Sequence, residues 1–280
     1  MKHVDHVRWL SKDILGSRRV ELVDDIIDQV AERIQNEFQP FKLMGPPKVQ
    51  RQGVEVKLNE SETFQYELWA SAVNYCYWYG RDQLRPGGGG ASEMYHILNL
   101  TFAHGAKEFG RSLISARFPL CEQRSRHLSE AYSFGSTEYG VTINHSLHFA
   151  IREFIKALPG FAGDMFLKRT FLFFMMLHRR FGYWADEIHE LPVPADYRVP
   201  QSLRHLGCLI YDHDLATKVD NEIHIPSGSM EELSIRAATI IACDRLSSIS
   251  GVPLCQIDDW LWSTRFPDCK PFHLTVTTDY

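Results

Sequence analysis

The chain has 280 residues, 44% of them hydrophobic and 23% charged, which bounds it to one large globular domain or two closely packed ones. Its formal net charge of −5 provides no global field to draw it onto nucleic acid or anionic lipid. The longest apolar run, Phe171–Leu177, is far shorter than the roughly 20 residues a bilayer span needs, so no membrane partner is expected.

From the N-terminus, MKHVDHVRWLSKDILGS carries acids and no continuous apolar stretch, so no secretory signal is expected there. The segment Val20–Ile34 sets Val23, Ile26, Ile27, Val30 and Ile34 on one stripe, which predicts a helix. Gln52–Leu58 alternates as a strand would, and the aromatic stretch Thr63–Tyr79 fits strand or helix. Ser92–Phe102 and Ser112–Leu128 carry a weaker helical period. His145–Leu158 predicts a helix stopped by Pro159-Gly160. Phe166–Arg180 predicts a strongly apolar, buried helix. Pro200 suits the first turn of a short helix, with Leu203 and Leu206 facing inward and Gly207 just beyond its end. Ser229 and Glu232 match a capping box. The helix they open runs to about Leu246 and buries Leu233, Ala237, Ile240, Ile241 and Cys243. His273–Thr278 alternates again. With no βαβ rhythm and no repeat, the expectation is a single, mainly α domain over residues 1–280 with a small β element.

The common site motifs are absent. The run Gly87–Gly90 lacks the Lys-Ser/Thr of a P-loop and reads as a flexible loop. His3 with His6, and His145 with His148, lack the glutamate of a zincin helix, and thirteen histidines make chance pairs common. Asp212-His213-Asp214 reads as a solvated turn, and no nucleophile-elbow GxSxG occurs. No metal is expected. Cys76, Cys121, Cys208, Cys243, Cys255 and Cys269 lie far apart, which reads as reduced core thiols in a cytoplasmic protein.

One string stands apart. From Val193 to Gly207 the chain reads VPADYRVPQSLRHLG, with Asp196 between two prolines that restrict its backbone. Local sequence alone makes Asp196 a cap for the helix opening near Pro200. Yet Ala195-Asp196-Tyr197-Arg198-Val199-Pro200-Gln201, with Leu203, His205-Leu206-Gly207 and Tyr211, closely resembles the queuosine salvage protein family, the queuosine 5′-phosphate N-glycosylases. Supporting stretches follow in order along nearly the whole chain. They are Asn74-Tyr75-Cys76-Tyr77-Trp78, Pro119–Arg124, Phe166–Arg169, Glu232–Arg236, Leu261-Trp262, Pro271-Phe272-His273 and Tyr280. The chain departs from the family pattern at Ser234, where a second glutamate is common, in the arginine-free tail after His273, and in the glycine run.

The resemblance implies a fold similar to helical DNA glycosylases. It implies hydrolysis of the N-glycosidic bond of queuosine 5′-phosphate, releasing queuine for reuse in tRNA, with no metal or organic cofactor. The partner is then a small nucleotide rather than a stable nucleic-acid complex. Asp196 becomes the catalytic carboxylate, stabilising an oxocarbenium-like state, activating water or attacking directly. Asn74, Tyr75 and Trp78 become contacts to a flat, polar base, with about half of that aromatic segment expected in the core. Lys168 becomes the phosphate ligand, with Arg198 a rival or helper, and Tyr197 a phosphate or ribose contact. His205 and His273 complete the expected substrate contacts. Two other readings stay open from the residues: a glycosylase acting on a base within DNA or RNA, and a nucleobase-binding protein without turnover. Oligomeric state is not legible.

Overall fold

The structure is a computed structural model and describes residues 2–37, 39, 42–78, 90–102, 106–115, 119–135, 138–264 and 268–280. The N-terminal helix α1 (His3–Leu15) leads into a short strand, β1 (Val20–Leu22), and helix α2 (Asp24–Glu37). A hairpin follows, β2 (Lys48–Arg51) and β3 (Val54–Lys57). Helices α3 (Glu60–Ala72), α4 (Gly90–Thr101), α5 (Ala106–Ser115), α6 (Cys121–Gly135), α7 (Tyr139–Ile143), α8 (Leu147–Ala157) and α9 (Pro159–Ala162) come next. The second half holds α10 (Lys168–Phe181), α11 (Arg198–His205), β4 (Leu209–Tyr211), α12 (His213–Asp220), α13 (Met230–Ser250) and α14 (Leu254–Ser263). The protein is mainly α with two small two-stranded sheets among the described residues, as its patterning indicates.

The helices form where apolar residues recur with helical period. In α2, Ile27, Val30, Ala31 and Ile34 are the buried face. The 21-residue α13 is buried nearly all round and packs against α1, α2, α11 and α14. Helix α3 packs against α6 and α10, building a second layer beside it. Helix α10 is buried over most of its surface, including Phe171, Phe173 and Phe174, and closes at Gly182 in the left-handed conformation (φ 78°). Among the described residues no helix is long and apolar enough to cross a membrane.

Several local expectations need correction. Val20–Leu22 is not the start of α2 but pairs antiparallel with β4, Val20 opposite Tyr211. A non-local partner decides that, and periodicity cannot see it. Gln52 and Gly53 are not strand but the two-residue turn of the hairpin, both at positive φ (53° and 80°). The stretch Ser112–Leu128 spans the end of α5 and the start of α6, with 116–118 outside the described residues. Helix α8 does end at Ala157, as the Pro159-Gly160 stop indicates, and Pro159 then opens the four-residue α9. The Ser229 hydroxyl accepts from Glu232 N at 3.3 Å, but the Glu232 carboxylate accepts from Gly228 N rather than closing a reciprocal box. Helix α13 runs on to Ser250, and Leu233 is only half-buried. His273–Thr278 makes a single bridge, Leu274 to His224. All six cysteines are free thiols, with Cys121 and Cys269 half-buried rather than in the core. Of the glycine run only Gly90 is described, where a Cβ would lie 2.4 Å from the Tyr77 carbonyl oxygen. That close approach admits only glycine.

Candidate functional site

Segments far apart in sequence meet around a cavity of about 880 Å3. Its wall takes Asn74, Tyr75 and Trp78 from the chain after α3, Lys168 from α10, and Asp196, Tyr197 and Arg198 from the entry to α11. Asp258 on α14 completes it.

Asp196 ends an extended stretch, 191–196, that is buried throughout. A buried extended backbone needs partners for its amides. Pro192 and Pro194 carry no N–H, so two of those demands vanish. Asp196 Oδ1 accepts hydrogen bonds from Arg198 N at 2.7 Å and Val199 N at 3.0 Å, capping α11. Among the described residues Oδ2 makes no hydrogen bond, and the side chain lines the cavity while only 8% exposed. Capping and facing the cavity are therefore done by different oxygens of one carboxylate.

Lys168 is 3% exposed and donates to both oxygens of Asn74, to the backbone at 3.1 Å and to Oδ1 at 2.7 Å. Burial pushes its ammonium down to about 8, and the nearby Asp196 carboxylate opposes that shift. Asn74 is therefore occupied by Lys168, and its amide nitrogen remains to serve a ligand.

The irregular chain leaving α3 is held from behind by two buried arginines. Arg124 donates to the carbonyls of Val73 and Tyr75, and Arg169 donates to Ala72 O at 2.8 Å. These bonds serve carbonyls that a helix end leaves without partners. Both guanidinium groups also face the Tyr75 ring, at 4.4 and 5.2 Å from its centroid. Tyr75 is fully buried in the wall, while Trp78 is half-buried, lines the cavity and meets His224 edge-on. Of the aromatic segment, Tyr75 and Tyr77 are core and Trp78 is the more accessible ring.

Tyr197 and Arg198 lie half-buried on the wall, the Tyr197 ring 4.7 Å from Phe272 and the Arg198 guanidinium on the Gln201 side chain. His273 is 1% exposed and behind the wall, its Nε2 2.9 Å from the hydroxyl of Tyr280, which does line the cavity. Burial, with a smaller push from Arg236, drives His273 down to about 3, so it is neutral. His205 is not brought to the site: it sits exposed at the end of α11. Helical spacing explains this, because α11 turns inward on Val199 and Leu203 and His205 falls on the other face.

Sequence reading missed Asp258 and Arg179. Asp258 is 6% exposed, and burial pushes its carboxyl up to about 7, with Arg179 opposing and Asp259 and Asp196 adding to the rise. Arg179 Nη2 donates to Cys255 O at 2.8 Å, sits 2.5 Å from Asp259 Oδ1 and reaches Asp258 Oδ2 only at 3.4 Å. A signal was present: Leu254, Ile257, Asp258 and Leu261 fall on one helical stripe, and an acid on a buried stripe needs a reason. Three side-chain carboxyl groups of the described residues thus line the cavity: Asp259 is paired with Arg179, while Asp196 is amide-held and Asp258 keeps a proton near neutral pH. Asp196 and Asp258 can divide base and acid work.

The comparisons with known proteins agree with one another. The family model described as queuosine salvage protein matches residues 168–273. The chain is similar to a queuosine 5′-phosphate N-glycosylase/hydrolase of Sphaerobacter thermophilus, 30% identical over 77% of this chain and 80% of that protein. It is similar to a protein of the same name from Dictyostelium discoideum, 25% identical over 78% of each. A third, from Schizosaccharomyces pombe, is 35% identical over 28% of this chain and 23% of its own length.

Proposed function

The chain belongs to the queuosine salvage protein family, and from that premise we propose that it hydrolyses queuosine 5′-phosphate to queuine and ribose 5-phosphate. The observation that carries the mechanism is the division of labour at Asp196: Oδ1 is fixed by two backbone amides and Oδ2 is left to the cavity. A carboxylate so fixed stabilises positive charge developing on the ribose and costs little to position.

The reaction balances as follows. A water oxygen bonds to C1′ of the ribose as the bond from C1′ to the base nitrogen breaks, its electron pair leaving with the base. Asp196 takes the proton that the water gives up. The base takes a proton from Asp258, and the proton on Asp196 later restores it. Queuine is a 7-deazaguanine, with carbon where guanine has a basic nitrogen, so it cannot be protonated there and takes the proton from Asp258 on the nitrogen released from C1′. Arg198 and Lys168 draw the 5′-phosphate, Tyr197 meets the phosphate or ribose, and Trp78 with Asn74 meets the base. His273 acts only through Tyr280. The six free thiols suit a reducing compartment, and we place the enzyme in the cytoplasm, working as one domain on a small nucleotide.

The test is mass-spectrometric detection of free queuine after incubation with queuosine 5′-phosphate, with the dephosphorylated nucleoside and guanosine 5′-phosphate alongside. Queuine from the phosphate is the expected result. No queuine from a protein shown to be folded would overturn the hydrolase reading and favour a binding protein.

A further inference from the structure

The site's cation and its capped carboxylate come from different parts of the chain, Lys168 at the start of α10 and Asp196 at the entry to α11. One buried ion pair reaches the backbone of Lys168 and of Ala195, the residue before Asp196. Asp164 lies between α9 and α10, and its side chain is 1% exposed. Its Oδ1 accepts from Phe166 N at 3.0 Å and its Oδ2 from Lys168 N at 2.8 Å. The carboxylate therefore holds the first turn of α10 by the amide of Lys168 itself. Between them, Leu167 is left-handed at φ 53°, a conformation that costs a non-glycine residue energy unless its surroundings impose it.

Arg236 on α13 is equally buried. It grips Asp164 with two parallel bonds, Nη1 to Oδ1 at 2.9 Å and Nη2 to Oδ2 at 2.7 Å. Its Nε donates to the carbonyl of Ala195 at 3.0 Å, the residue immediately before Asp196. The rings of Phe166 and Tyr280 sit 4.7 and 4.4 Å from the guanidinium and hold it in plane. Glu232, one turn earlier on α13, is 3.4 Å from Nη1. Only a guanidinium has the fork to serve a carboxylate and a carbonyl at once.

We propose that Arg236 and Asp164 are positioning residues of the hydrolase, one guanidinium–carboxylate pair that sets Lys168 and Asp196 at their working separation. The inference rests on the hydrolase reading. Neither residue lines the cavity; Asp164 acts through the amide of Lys168, and Arg236 through the carbonyl of Ala195, the residue bonded to Asp196. Strength of pairing is not the point, because a buried pair is a poor source of net stability. Geometry is the point, since a displacement of about 1 Å can cost about a hundredfold in rate.

Arg236→Lys keeps the charge and loses the fork; Asp164→Asn keeps the shape and loses the charge. Both are assayed for kcat and KM with queuosine 5′-phosphate, well below their unfolding midpoints, with circular dichroism to fix the folded fraction. The expected result is a kcat per folded molecule lower by about a hundredfold, with KM changed less than about threefold. The double variant should be no worse than the poorer single one, because both act through the same pair. Arg236→Lys should also cost much less in an Asp196→Asn background than in the wild type. A purely structural pair would lower only the folded fraction, leave kcat per folded molecule intact and add its cost equally in both backgrounds; that result overturns the inference. If one variant does not fold, the other carries the same test. Failure of the wild type itself to release queuine would instead sink the hydrolase reading, so the two failures are distinguishable.

Discussion

Asp196 shows how one side chain can satisfy two demands. Asp196→Asn keeps an oxygen for the amides of Arg198 and Val199 and removes the charge from the cavity. The expected outcome is a loss of kcat of at least about a hundredfold with an unfolding midpoint near the wild type, whereas Asp196→Ala also loses about 1 kcal/mol of cap, read by thermal unfolding. Asp258 gives a pH signature. In the proposed mechanism it donates a proton and must be protonated, so kcat/KM should fall as pH rises through about 7, and Asp258→Asn should abolish that limb. Stability carries the same sign. The folded carboxyl binds its proton more tightly than the unfolded one, so the contribution present at low pH is lost as pH rises through about 7. Denaturant titrations at about pH 5 and about pH 8 should therefore differ less for Asp258→Asn than for the wild type. Asp196 as a cap was legible from local sequence and its family string pointed to a site; the split between its oxygens was not, since that depends on what lies across the cavity.

Among the elements, α13 is the clearest case of local rules and tertiary packing acting together. Ser229 begins it and Gly251 ends it at φ 69°, with nothing within 4 Å of where a Cβ would stand. Gly251→Ala therefore isolates backbone strain from steric clash. It should cost about 1–2 kcal/mol in thermal or denaturant unfolding, with kcat per folded molecule unchanged. Gly90 is the opposite case, because its Cβ would strike the Tyr77 carbonyl at 2.4 Å. Gly90→Ala must push α4 off the segment that carries Trp78, so KM should rise. Helix stripes such as Ile27, Val30, Ala31 and Ile34 were readable because 3.6-residue periodicity is local. The pairing of Val20–Leu22 with Leu209–Tyr211 was not, because its partner lies at the other end of the chain.

At the scale of the molecule, the cavity is lined from α3, α4, α10, α11 and α14, elements distant in the chain. A ligand that bridges them binds the folded state alone and stabilises it by mass action. Queuosine 5′-phosphate added to Asp196→Asn at about a hundred times its Kd should raise stability by about 2.7 kcal/mol, read as a shift in the unfolding midpoint, and guanosine 5′-phosphate should do less. By itself the sequence determined the helical class, the positions of α2, α4, α8, α10, α11 and α13, and a family string centred on Asp196. Those follow from short-range periodicity, turn chemistry and residue identity. Only the tertiary structure decided that His205 faces away, that His273 stands behind Tyr280, that Asp258 joins the cavity, and that Arg236 ties Ala195 to Asp164. The bonds of Arg236 and the place of Asp258 join residues distant in the chain, and the His273–Tyr280 pair depends on how the tail folds back. Burial and charge around such residues are set by what packing brings beside them, and no local pattern carries that information.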